Sequence, residues 1–238
     1  MTRGDNMDGF LLFDQIHLIW LAGISFILTI FFIVYRKMKH RSTMLKSMFW
    51  LLFFSELIKQ FYLVFTSQYS YWAPPLHLCG LGIFLCGIHA YKPSDITKTL
   101  LFSLTLPGAI IALLFPGWTY EPIGSFLHIH SFLFHAILVL FVICPLFCGE
   151  WVLRIRDVKW SMLFLLITIP IIYQYNQAFQ TNFMFLNKPV QNTPLQWVFD
   201  AVGSTYYLLV LSLVMLVIWI VQYSIYALCM SYKKPWNH

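Results

Sequence analysis

Charge is scarce in this sequence. Of 238 residues only 10% are Asp, Glu, Lys or Arg, and nine acidic residues stand against fifteen basic ones. Apolar residues make up 60% and aromatics 19%, where an ordinary soluble domain is about 45–50% apolar. So little charge cannot clothe a soluble surface. The five cysteines, Cys79, Cys86, Cys144, Cys148 and Cys229, show no paired spacing in a polar loop, which argues against a disulfide framework and for burial in apolar helices. No internal repeat, low-complexity stretch or long charge block is present. A cleavable signal peptide is also lacking: Asp5, Asp8 and Asp14 stand where a basic start and a short apolar run belong, so the first helix is expected to be retained.

What is there is apolar length. A helix needs roughly 20 apolar residues to cross the hydrocarbon core. The sequence predicts an all-α, polytopic seven-helix transmembrane bundle forming a single domain over 1–238, with helices at about 16–35, 44–66, 75–91, 97–115, 125–148, 160–176 and 200–230. Helices are expected because backbone groups in lipid must pair within their own segment, and no barrel-like alternation is seen. Pro107, Pro145 and Pro170 fall within or near the ends of these helices and are candidate kinks.

The basic residues are lopsided. Arg36, Lys37, Lys39, Arg41 and Lys46 follow helix 1, Lys92 and Lys98 follow helix 3, Arg154, Arg156 and Lys159 follow helix 5, and Lys233 and Lys234 close the chain. All fall on one side of a seven-crossing arrangement, whereas Arg3 and Lys188 fall on the other and Lys59 lies within helix 2. Cytoplasmic loops collect Lys and Arg, so the expectation is N-terminus outside, C-terminus cytoplasmic, in the plasma membrane. The net charge of +6 then reads as an anchor for anionic headgroups, and nucleic acid is not an expected partner.

Polar groups inside a membrane are costly and mark sites. Helix 2 carries Glu56, Lys59 and Gln60 on one face; helix 3 opens with His77 and Cys79; helix 5 carries His128, His130, Ser131 and His135. Gln174 and Asn176 end helix 6, Asn182 and Lys188 lie in the following loop, and Asp200, Ser204 and Tyr207 open helix 7. All belong to the same predicted level, so a polar chamber is expected at the outer ends of helices 2, 3, 5, 6 and 7. The inner halves offer nothing comparable. Seven residues separate His128 from His135, which puts both on one face with Ser131, while His130 points away. A cysteine and a histidine on two neighbouring helices suit a thiol nucleophile and its base.

Three segments carry a resemblance: Pro75-Leu76-His77-Leu78-Cys79, the stretch from His130 to Leu138, and Thr181-Asn182-Phe183-Met184-Phe185-Leu186 followed by Lys188-Pro189. In these the chain resembles bacterial YwaF-type integral membrane proteins, a family similar in turn to eukaryotic transmembrane protein 164. The resemblance implies acyltransferases that form polyunsaturated ether phospholipids through a cysteine and a histidine. More distantly it implies androgen-induced membrane hydrolases of fatty-acid esters, which use threonine and histidine. Carried over, the cysteine role falls on Cys79 and the histidine role on His135.

The expected function is therefore a lipid O-acyltransferase or ester hydrolase acting on a membrane phospholipid or lysolipid, without a cofactor. In it His135 deprotonates Cys79 and returns the proton to the leaving alkoxide. His77, Asn182 or Gln174 are candidate oxyanion donors, and Lys59 and Lys188 candidate phosphate contacts, with a Lys59–Glu56 ion pair as the alternative for Lys59. Two other readings stay open. His77, Cys79, His128 and His135 offer ligands for a hydrolytic zinc, against which stands the missing i, i+4 histidine pair. A polar chamber also suits a transporter or sensor, against which stands the missing repeat.

Overall fold

The computed structural model describes residues 9–191 and 193–231. Arg3, Asp5, Asp8, Lys233 and Lys234, on which part of the charge reading rests, lie outside them. The described residues form seven helices: α1 (Gln15–Lys37), α2 (Arg41–Phe65), α3 (Leu78–Tyr91), α4 (Asp95–Leu114), α5 (Phe126–Phe147), α6 (Val158–Phe179) and α7 (Pro194–Ser231). Single 3-10 turns sit at Ile155–Asp157 and Phe183–Phe185. The starts follow local chemistry. Asp14 caps α1 by accepting the His17 N–H at 2.8 Å, Ser94 and Thr97 cap α4 reciprocally, and Ser125 caps α5 through the His128 N–H.

The bounds shift by up to six residues, and two of the starts have local features of note. Helix 3 begins at Leu78, not 75, because Pro74 and Pro75 hold the chain extended and His77 becomes the N-cap. Its 14 residues rise only about 21 Å, short of a hydrocarbon core of about 30 Å, and one side of it packs into the bundle while Phe84, Ile88 and Tyr91 face outward. Gly82 and Gly87 permit this: a Cβ at Gly82 would stand 2.8 Å from the Thr105 methyl of α4, and one at Gly87 2.6 Å from the Phe49 ring of α2. Helix 7 begins at Pro194, not 200, and breaks at Gly203, whose φ of 70° lies in the left-handed region that glycine tolerates.

The centre of the bundle is α3, α4 and the second half of α5, with Leu101, Leu104, Ala109, Leu138, Phe141 and Cys144 essentially inaccessible. Around them α1, α2, α6 and α7 turn large apolar side chains outward, among them Ile19 and Phe26, Phe54 and Ile58, Leu166 and Ile171, Leu209 and Ile220. Such a surface suits lipid and not water. α1, α2, α4, α5 and α7 each have the length and apolarity to cross a membrane.

A π-helical stretch, Leu101–Thr105, interrupts α4, and Pro107 accounts for it. Lacking an N–H, Pro107 cannot serve the Ser103 carbonyl four residues back or the Phe102 carbonyl five residues back. Both are answered from α7: Trp219 Nε1 donates to Ser103 at 2.9 Å and Gln222 Nε2 to Phe102 at 2.6 Å. Beside them the Ser103 hydroxyl bonds to the Thr99 carbonyl and meets the Ser161 hydroxyl of α6 at 3.0 Å. The expectation that the other half of the helices holds nothing polar is corrected here. The seam was hidden because it joins residues over 100 positions apart in response to one missing N–H.

The basic residues do gather at one end. The α1–α2 turn meets the end of α5, where Arg41 pairs with Glu150 at 3.2 Å and the Tyr35 hydroxyl donates to the same carboxylate. Lys98 pairs with Asp95 at 2.6 Å on the first turn of α4. His77 and Cys79 begin α3 at the opposite end.

Candidate active site

Polar side chains of α2, α3 and α5 lie at the end of the bundle where α3 starts. Lys59 on α2 pairs with Glu56 at 2.8 Å, and Glu56 also accepts from Gln60 at 2.6 Å, so the ion-pair alternative for Lys59 holds in this structure. His130 does not point away from His135. Its ring stacks on Phe134 at 5.5 Å, and the same Phe134 meets His135 edge-on at 5.4 Å, so the phenyl ring stands between two histidines. The 140° between positions 130 and 135 turns His130 toward the Ser55 backbone of α2 without taking it out of the cluster.

The protonation pattern of the two central rings follows from their partners. His135 Nδ1 lies 2.7 Å from the Ser131 carbonyl. A carbonyl only accepts, so Nδ1 carries the proton and Nε2 presents a lone pair. The ring lies flat on Trp118, centroids 5.0 Å apart at 13°, which fixes its plane. His77 is the reverse: its Nδ1 accepts the Met184 N–H at 3.2 Å, so Nε2 carries the proton. One ring is a base and the other a donor. Cys79, two residues past His77 in the first turn of α3, is buried, reduced and 8% exposed. Its sulfur has no hydrogen-bond partner among the described residues. It lies beside Gly108, where a Cβ would stand 3.6 Å away.

The loop after α6 holds His77 in place. Asn176 is buried and fully engaged: its Nδ2 donates to the Phe183 carbonyl at 3.0 Å, while its Oδ1 accepts from the Thr181 hydroxyl and the Phe183 N–H, both at 2.8 Å. Gln180, Met184 and Phe185 adopt left-handed backbone in this tight turn. Phe183 and Phe185 each pack on the His77 ring at 5.1 Å, and Tyr207 of α7 donates to the Phe185 carbonyl at 2.8 Å. Asn176 matters more than its exposed neighbour Gln174. A polar residue at a helix end, followed five residues later by a threonine, was the only signal for it.

The other sequence-predicted residues are dispersed. Asn182 spends its amide closing the loop, donating to the Lys188 carbonyl at 2.8 Å and accepting from the N–H groups of Asn187 and Lys188. Lys188 and Gln174 are exposed, as are Asp200, which accepts from Gln196, and Ser204. His128 lies apart, fully buried in an aromatic cage of Phe10, Trp20 and Phe132 at 5.1, 5.5 and 5.3 Å. Among the described residues no three His, Cys, Asp or Glu side chains converge as metal ligands, and the zinc reading loses His128 to its cage.

A bundle of long apolar helices with lipid-suited flanks defines a multi-pass integral membrane protein. The particular family is shown by its model, which matches residues 12–223: the chain belongs to the TMEM164 family. No curated protein and no solved structure matches it.

Proposed function

We propose that this chain is a membrane-embedded lipid acyltransferase or lipid ester hydrolase with Cys79 as nucleophile and His135 as base. The observation that carries this reading is the tautomer of His135: with Nδ1–H committed to Ser131, Nε2 is the nitrogen free to take a thiol proton. A lipid ester enters with its carbonyl beside Cys79. His135 accepts the thiol proton, directly or through one water, and the thiolate attacks the carbonyl carbon. The tetrahedral intermediate collapses to an acyl thioester as His135 protonates the departing alkoxide. A lysolipid hydroxyl or water then takes the acyl group.

His77 Nε2–H is the oxyanion donor, a role worth roughly 3 kcal/mol where water is excluded. Lys59, released from Glu56, is the contact for a lipid phosphate. Lys188 on the exposed loop is a second, entry-side contact. With the basic end in the cytoplasm, the N-terminus lies outside and the substrate comes from the outer leaflet of the plasma membrane.

The test is lipid turnover by purified protein in liposomes, together with labelling by an activity probe for lipid-hydrolase nucleophiles. Wild type labels and turns over; Cys79→Ala does neither. Equal labelling and turnover in the two proteins would sink the proposal.

A further inference from the structure

His128 and His17 are both fully buried at the same end of the bundle, and they differ in one respect. His17 uses both ring nitrogens: Nδ1 accepts the Phe13 N–H at 2.9 Å and Nε2–H donates to the Leu113 carbonyl at 2.9 Å. His128 uses neither. A buried polar group without a partner is rare and costly, and its persistence asks for an explanation outside the static fold.

The lid over His128 is the segment Gly9–Asp14. Phe10 fills the cage, in contact with the rings of His128, His17 and Phe132, and the strap is held there by the Phe10 N–H on the Thr119 carbonyl at 3.0 Å. Gly9 lies so close to the Thr119 carbonyl and the Tyr120 backbone that a side chain would collide with them. Next to Thr119 is Trp118, whose Nε1–H is also buried and unpaired. Its ring meets Phe132 edge-on at 5.3 Å on one side and lies on His135 on the other. Two residues with unused donors and an unused acceptor therefore flank Phe132, under one strap, next to the proposed base.

We propose that the volume now filled by Phe10 is a second binding pocket, opened by displacement of the Gly9–Asp14 strap, that takes the hydroxyl-bearing end of an uncharged lipid. One imidazole nitrogen accepts a hydroxyl proton while the other imidazole N–H and Trp118 Nε1–H donate to oxygen. The cage excludes a charged ligand: its walls are Phe10, Trp20, Phe132 and the neutral His17, and Asp14 spends its carboxylate on the N–H groups of Leu11 and His17. A phosphate belongs on the Lys59 side of His135, a neutral hydroxyl on the His128 side. This deepens the acyltransferase reading by giving the acyl acceptor a place, and rests on it for that role only.

Binding of 1-monooleoylglycerol and of methyl oleate, which lacks the hydroxyls, is measured by native mass spectrometry on the full chain with no acyl donor present. The expectation is preference for monooleoylglycerol by about tenfold or more, the equivalent of one or two hydrogen bonds. Bound monooleoylglycerol should speed hydrogen exchange in residues 9–14. His128→Phe, which keeps the aromatic packing, erases the preference, whereas Gly9→Val, which pushes the strap off Thr119, tightens binding severalfold. Unchanged preference in His128→Phe, or no preference in wild type, overturns the pocket. Turnover is assayed separately: a wild type that binds but never turns over any lipid ester keeps the pocket and loses the catalytic reading, and one that turns over without the binding preference does the reverse.

Discussion

At the seam between α4 and α7, side chains enter the apolar interior because the backbone needs them. Pro107 has no N–H to give to the carbonyls behind it, and Trp219 and Gln222 donate to those of Ser103 and Phe102. At the start of α3 the order is reversed. The loop, the caps and the α5 backbone satisfy themselves first, through Asn176, Ser125 and Ser131, and ring atoms remain: Nε2 of His135, left over by the Nδ1–H bond to Ser131, the buried Nε2 of His130 and, in the separate cage at the same end, both nitrogens of His128. Both regions bury polar groups in the same surroundings. The first repairs a helix and leaves over the Thr105 hydroxyl, the Gln222 amide oxygen and the Tyr223 hydroxyl, whereas the second leaves over imidazole nitrogens, which can take or give a proton. In a membrane protein, a polar group that answers a backbone defect is architecture, and an imidazole that outlasts the backbone's demands points to a ligand.

The strongest way to sharpen that contrast is to remove a reserve atom at the site. His135→Gln retains polarity but not basicity, and turnover should fall about 10²–10⁴-fold with the melting midpoint in detergent nearly unchanged. A large loss of stability with little loss of turnover would place His135 on the architectural side. Asn176→Ala is the next largest effect and is expected in stability. It strands the Thr181 hydroxyl and the Phe183 N–H and carbonyl in a buried turn, at about 3 kcal/mol in total, and turnover declines with it because His77 loses the loop that holds it. Thermal unfolding alongside the turnover assay reads both.

How much of this was legible follows from the range of each signal. Apolar length gave the helix count, and α1, α2 and α5 fall close to their expected bounds, because crossing a bilayer is a constraint each segment meets alone. The collection of Arg36, Arg41, Lys92, Lys98 and Arg154 at one end was readable for the same reason. The shortness of α3 was not, since its start is set by Pro74 and Pro75 and not by apolar length. Helical spacing placed His128 with His135 and sent His130 elsewhere. The structure separates the first pair, because Phe10 and Trp20 close a cage around one of them, and joins the second pair through Phe134. Angles along one helix cannot see what packs against it. Asn176 and Tyr207 stood out by type along with Asn182 and Lys188, yet only contact shows that they fix the loop over His77.

The seam offers a sharper test of the backbone-repair account. Trp219→Phe leaves the Ser103 carbonyl buried without a donor and should cost about 1–3 kcal/mol. In a Pro107→Ala background the restored N–H serves that carbonyl within the helix, so the same substitution should cost little. The double-mutant cycle therefore predicts a coupling of about 1 kcal/mol or more between positions 107 and 219. Additive losses would mean that Trp219 stabilises α7 through packing alone, and the explanation of the π stretch by Pro107 would fall.

The smallest effect is expected where polar groups face water. Arg41 Nη1 lies 3.2 Å from Glu150 Oε1 with each side chain about a third exposed, and such pairs contribute about 0–1 kcal/mol. Arg41→Met keeps the apolar stem and removes the charge, and Glu150 retains the Tyr35 hydroxyl at 3.2 Å. The melting midpoint should therefore shift by no more than that amount and shift less still in high salt, where exposed charges are screened. A loss comparable to Asn176→Ala, insensitive to salt, would mean that the basic end is braced as firmly as the loop over His77. Polar groups there would then have to be counted with the architecture of the seam, leaving the reserve of unpaired ring atoms confined to the end where α3 begins.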